Sequence, residues 1–116
     1  VLKDACGLSA FNALPAAALT DLLVWAARHL DAAFHDSLPI CGADGGLRPY
    51  ASAEELRRNL RAKTGSMAAT RSLAGYLTAA SGDTYAFAVI VNNYACSPSE
   101  VQAAIRDFLA WGYRNW

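Results

Sequence analysis

Lys63, Thr64, Gly65 and Ser66 stand consecutively, and together they present a cation, two hydroxyls and one residue without a side chain. On a strand, this string lets an extended acyl substrate lie against the strand edge and hydrogen-bond to its backbone. Lys63 would then orient and stabilise negative charge, and Thr64 and Ser66 would hold a carboxylate. The Ser66 N–H would face a developing oxyanion, often the largest electrostatic contribution in acyl transfer. Taken alone, the string also fits a solvated turn lysine followed by a bulge glycine.

The remaining reactive side chains point to less. Cys6, Cys41 and Cys96 form no Cys-x-x-Cys pair, and His29 and His35 have no cysteine at ligand spacing, so no zinc site is expected. An odd number of thiols leaves at least one free or paired outside the chain; three buried small hydrophobes is the plainer reading, and the redox compartment stays open. His29 falls in a helix near its polar side and His35 in the segment ending it, so surface imidazoles favoured near a helix C-terminus outweigh a general-base role. Asp44 precedes Gly45, which suits a turn as well as a cleft. Arg57, Arg58 and Arg61 would attract a carboxylate or simply form a solvated face. Trp111, Tyr113 and Trp116 read as a packing cluster, or as a contact if exposed.

The elements that must position the string follow from composition and periodicity. With 116 residues the chain holds one core and one domain, burying roughly two thirds of the surface it exposes unfolded. Ten basic and ten acidic residues leave no net charge, against a nucleic-acid partner, whose affinity comes mainly from neutralised phosphates. No membrane-spanning helix is expected: the longest apolar stretch, Leu14 to Leu30, is interrupted by Thr20, Asp21, Arg28 and His29. The start at Val1, with no leader-like pattern after it, suggests a processed product or an excised segment.

Residues 1–12 read as an irregular entry. Pro15 suits a first helical turn, and Leu19, Leu22, Leu23, Ala26, Leu30 and Ala33 line one face of a single helix. Asp36 to Tyr50, with two prolines and Gly42, Asp44, Gly45 and Gly46, predicts an ordered surface loop. Ser52 with Glu55 three residues on suggests a capping box and a short helix or turn. Three extended runs follow: Leu60 to Met67, Ser72 to Thr78 and Thr84 to Val91. The last is apolar on both faces and so is expected as a central strand. Ser81, Gly82 and Asp83 supply hairpin chemistry, and Gly75 suits a bulge or the close approach of a helix. Ser97, Pro98 and Glu100 mark a helix start, with Val101, Ile105, Phe108 and Leu109 along one face. The sum is an α+β fold: a three-stranded antiparallel meander flanked by helices.

The string belongs to a wider pattern. Lys-Thr-Gly is one of three signatures of the serine acyl-transferases that include penicillin-binding proteins and class A β-lactamases. The stretches Arg61 to Met67, Ser72 to Tyr76 and Tyr85 to Asn92 resemble the C-terminal part of the D-alanyl-D-alanine carboxypeptidases of the S13 peptidase family. Asp4-Ala5-Cys6-Gly7-Leu8-Ser9, with Asn12 and Pro15, resembles that family's Asp-Gly-Ser-Gly-Leu-Ser segment. Leu38-Pro39 and Gly42-Ala43-Asp44-Gly45 resemble its next loop.

The resemblance implies a penicillin-binding-protein-like transpeptidase fold and a periplasmic or cell-surface enzyme. Such an enzyme removes terminal D-alanine from peptidoglycan stem peptides through an acyl-serine intermediate, and is acylated by β-lactams. Carboxypeptidase and endopeptidase action both remain open. Lys63 and Ser66 would be catalytic, Thr64, Gly65 and Ser66 substrate-binding, and neither metal nor organic cofactor is implied.

The departures are equally specific. The family's nucleophile is a serine followed three positions later by lysine, yet none of the eight serines, at 9, 37, 52, 66, 72, 81, 97 and 99, has one there. None has asparagine two positions later, so the second signature is absent too. Residues 1–116 are therefore expected to be the C-terminal part of a larger catalytic domain, partnered by its N-terminal remainder and inactive alone. Ala5 and Cys6 replace residues that usually include glycine and serine, and Ala10 stands where arginine is frequent. The alternatives are a non-catalytic peptide-binding or structural module retaining this half of the fold, and a free-standing domain with a chance tripeptide. A fragment should expose an apolar face or an open sheet edge, whereas a free-standing domain should cover its sheet.

Overall fold

In the computed structural model, which describes residues 1–116, the only sheet is three-stranded and antiparallel, in the order β1 (Leu60–Met67), β2 (Thr70–Thr78), β3 (Thr84–Asn92). Helices α1 (Ala16–His29) and α2 (Ala32–Ser37) precede it, 3-10 turns at Gly45–Tyr50 and Glu54–Leu56 lead into β1, and α3 (Pro98–Asn115) closes the chain.

Alternation along the strands separates two faces. Leu60, Ala62, Leu73, Leu77 and Phe87 point to one side, where they pack with Val101, Ile105 and Leu109 of α3 and with Cys41, Leu47, Tyr50 and Leu56. Six of these leucines are fully buried, each contributing about 1.5–3 kcal/mol relative to exposure. The opposite face meets α1, where the Tyr76 hydroxyl donates to Leu23 O at 2.7 Å. Gly75 is required on the first face without any bulge. A Cβ there would run into Arg61 O and lie 2.6 Å from Ala62 Cα, so β1 and β2 approach too closely for any other residue.

Five expectations change. The single helix over Leu19 to Ala33 is two helices, because Leu30 is extended and Asp31 caps α2, its carboxylate accepting from Ala33 N at 3.0 Å. Pro15 sits one position earlier than expected, as the residue preceding α1. The 36–50 segment is more than surface loop, since its 3-10 turn buries Leu47 and Tyr50 and Ile40 bridges to Arg61. The Ser52/Glu55 capping box does not form: Ser52 Oγ donates to Pro49 O, and Glu55 pairs with Arg114 of α3. Finally β2 begins at Thr70 and is the central strand, while β3 lies at the edge. Helices on both sides make β3 apolar on both faces, and that pattern is the same whether or not a further strand lies alongside.

The Ser97 capping box does form, with Glu100 N donating to Ser97 Oγ and Ser97 N to the Glu100 carboxylate. The Ser97 hydroxyl, at 2.7 Å, and after it the Ser97 N–H hold the Glu100 pKa below its ordinary 4.5. On α3 the buried face is Val101, Ile105, Leu109, Ala110 and Gly112, whereas Phe108 is 46% exposed. Phe108 instead joins Trp111, Trp116 and Tyr85 in an aromatic surface cluster, Trp116 being the member that folds back over Gly112.

Candidate active-site strand

All four residues of the Lys63 to Ser66 string lie on β1. The edge they offer follows from hydrogen bonds at the start of the strand. Leu60 O accepts from Cys41 N at 2.9 Å, and Ala62 N donates to Pro39 O at 3.0 Å, so the even-numbered residues turn their backbone groups away from β2. In an antiparallel ladder this alternation persists along the strand. The N–H and C=O of Thr64 and Ser66 therefore face the free edge, beyond the point where residues 39–41 cover it. The Thr64 carbonyl already shows this openness, accepting from Lys63 Nζ at 2.8 Å.

Side chains split by face. Thr64 and Ser66 share the side of Ala62 and Leu73, and Gly46 of the 3-10 turn lies beside Thr64, a Cβ there falling 3.9 Å from its Oγ1. Lys63, Gly65 and Met67 lie on the α1 side. There Ser72 Oγ covers Gly65, occupying the space a side chain would need. A cleft of about 600 Å³ continues from this point, bounded by Met67, Ser72 and Ile90 on the sheet and by Ala10, Asn12 and Leu14 on the entry segment.

The entry segment is knotted by Asp4. Its carboxylate accepts from Gly7 N at 2.8 Å, Ser9 N at 2.7 Å and Asn12 Nδ2 at 2.9 Å, and Gly7 takes a φ of +76° to allow it. The Asn12 bond, ahead of those from Gly7 and Ser9, holds the Asp4 pKa below its ordinary 3.8. Asn12 Oδ1 in turn accepts from Lys3 N at 2.7 Å, so the cleft wall is fixed from both sides.

The other candidates resolve into structure. The Asp44 carboxylate accepts from Ile40 N at 2.6 Å, closing its own turn. Arg57 Nε donates to Ala51 O, and Arg61 reaches Asp36 O and Leu38 O, so this basic cluster ties loops together. His29 is exposed at the end of α1, stacked on Trp25, and the His35 ring meets Tyr76 at a tilt of 44°. Cys41 is buried, which raises its thiol pKa, while Cys6 and Cys96 are exposed, so the three do not form one buried set. No helix is long and apolar enough to cross a membrane. Sequence reasoning missed Ser72 as the cover of Gly65; the paired register of the β1–β2 hairpin is the signal that would have found it.

The comparisons agree with this geometry. Residues 1–111 match the model of the D-Ala-D-Ala carboxypeptidase 3 (S13) family. Carboxypeptidase DacB of Mycolicibacterium smegmatis is 41% identical over 99 residues, 79% of this chain and 22% of that protein. D-alanyl-D-alanine carboxypeptidase DacB of Haemophilus influenzae is 32% identical over 103 residues, 86% of this chain and 22% of that protein. The crystal structure of penicillin-binding protein 4 (dacB) from H. influenzae, complexed with a novel β-lactam, superposes with a TM-score of 0.87 at 28% identity, covering 98% of this chain and 28% of that one. The chain thus spans about a fifth of the length of the curated relatives it matches, and its α+β architecture is that of a penicillin-binding protein. A knotted entry segment, an open Lys-Thr-Gly-Ser edge and a match across nearly all its residues together assign this chain to the D-Ala-D-Ala carboxypeptidase 3 (S13) family.

Proposed function

We propose that residues 1–116 are the C-terminal part of the catalytic domain of a serine-type D-alanyl-D-alanine carboxypeptidase or endopeptidase, acting on peptidoglycan stem peptides and acylated by β-lactams. The observation that carries this reading is the unpaired β1 edge at Thr64 and Ser66, beside the Lys63 ammonium. A stem peptide lies along that edge as an added strand. The Thr64 and Ser66 hydroxyls donate to its terminal carboxylate, and Gly65 leaves the backbone accessible.

A serine hydroxyl supplied from outside residues 1–116 attacks the penultimate carbonyl, giving its proton to a base supplied with it, which passes it on to the leaving nitrogen. As the oxygen–carbon bond forms, the Ser66 N–H donates to the carbonyl oxygen that becomes negative. Collapse breaks the carbon–nitrogen bond and releases D-alanine, whose nitrogen takes a proton, and water then cleaves the acyl-serine. The Lys63 ammonium supplies positive charge next to the nucleophile and keeps the site's proton balance. The substrate's location puts the enzyme in the periplasm or at the cell surface.

Intact-mass analysis after incubation with a penicillin tests the reading, on this chain and on the longer protein carrying it in parallel. An adduct on the longer protein alone is the expected result. An adduct on residues 1–116 would show that one of its own serines reacts, and labelling of neither would favour a non-catalytic module.

A further inference from the structure

Arg71 was left outside every predicted strand, and its position on β2 gives it a use. It is the direct cross-strand partner of Ser66, and the two side chains share one face of the sheet. Because Ser66 turns its backbone to the outer edge, this is a non-hydrogen-bonded pair, the type in which side chains approach closest, with Cα atoms about 4.5 Å apart.

Two contacts fix where the guanidinium lies. Its Nη1 donates at 2.9 Å to Thr70 O, a carbonyl that faces β1, so the head leans toward the strand bearing Thr64 and Ser66. The Tyr94 ring lies against it, the guanidinium carbon 5.9 Å from the ring centroid. Burial pushes the Tyr50 hydroxyl pKa up, and the charge of Arg71 opposes that rise. No carboxylate of the chain neutralises it: the ion pairs join Asp36 to His35 and Arg61, Asp107 to Arg106, and Glu55 to Arg114. The result is a braced, partly buried cation with free donors, on the sheet face that carries the Thr64 and Ser66 hydroxyls.

We propose that Arg71 is a specificity-determining residue that supplies the positive charge for the substrate's terminal carboxylate, which Thr64 and Ser66 hold by hydrogen bonds. This rests on the proposed reaction and deepens it. It assigns the preference for a free C-terminal acid to a β2 residue rather than to the Lys-Thr-Gly string. Guanidinium suits the task because its donors form a planar fork that matches a carboxylate.

The test uses the longer protein carrying this chain, with Arg71→Gln and Arg71→Lys. Acylation by a penicillin as its free acid and as its methyl ester is followed by intact mass from seconds to hours. For Arg71→Gln, acylation by the acid should slow about 10- to 100-fold, and by the ester less than about threefold, with Arg71→Lys intermediate. Equal losses on acid and ester would make the residue structural and overturn the assignment, as would an unchanged rate on the acid. Where the ester is too slow to compare, loss with glutamine at an unchanged melting temperature, recovered by lysine, supports it; loss without recovery overturns it. If the unsubstituted protein takes up no penicillin at all, the underlying reaction fails, and that outcome is distinct from a normal wild-type rate with an inert Arg71.

Discussion

Single side chains around β1 divide into those that act on a substrate and those that hold shape. Lys63 is exposed, and its only bond is to the neighbouring Thr64 carbonyl, so its removal should leave folding almost untouched. In the longer protein, Lys63→Ala is expected to slow penicillin acylation about 100-fold or more while shifting the melting temperature little; normal acylation would remove Lys63 from the site. Asp4 is the opposite case, a carboxylate whose work is the geometry of the cleft wall. Its folded-state pKa lies below the ordinary 3.8, so its stabilisation is complete above that value and is lost as pH falls through the folded pKa. Amide exchange at Gly7 and Ser9 should therefore quicken below about pH 3.8, and Asp4→Asn should show the fast exchange at neutral pH. Unchanged protection in that variant would mean that Asn12 alone holds the segment.

Among the elements, the β1–β2 hairpin carries the greatest constraint, because Gly75 lets the two strands meet without a side chain between them. Gly75→Ala should destabilise the chain by about 3 kcal/mol or prevent folding, since backbone atoms rather than a flexible side chain block the new methyl group. A melting curve within a degree or two of wild type would show that the strands can part. The α3 cap is milder: Ser97→Ala should cost about 1 kcal/mol, read by denaturant titration. Ser97 with Pro98 and Glu100 was legible in the sequence because a capping box is made by residues adjacent in the chain. Ser52 with Glu55 carries the same spacing and fails, since Arg114 of α3 takes Glu55 away. Asp31 falls inside the single helix that the periodicity predicts to Ala33 and is instead the cap that starts a second one, a choice between two uses of one residue that periodicity does not make.

Across the whole molecule, one edge of the sheet is covered only at its start and the other is open. β1 is covered by residues 39–41 and then free at Thr64 and Ser66, whereas Ala86, Ala88 and Ile90 of β3 turn their backbone groups outward with no partner strand. A groove of about 460 Å³ beside that second edge is lined by apolar side chains alone, including Val89, Val91, Ile105 and Phe108. Residues 1–116 by themselves should associate in a concentration-dependent way, and Phe108→Glu should shift them toward monomer in sedimentation; a monomer at all concentrations would show the groove to be inert. An uncovered sheet edge with an apolar groove beside it is thus present, and β3 forms it although its composition suggests a central strand. What the sequence by itself determined were the features made by neighbours in the chain: the strand string Lys63 to Ser66, the hairpin turn at Ser81 to Asp83, the α3 cap, and the run of motifs that marks the family. Strand order, the open side of β1, the packing of Ser72 over Gly65 and the pairing of Arg71 with Ser66 were decided only by tertiary structure. They depend on residues brought together across the sheet, and a period-two pattern tells which face a side chain takes but not which strand lies beside it.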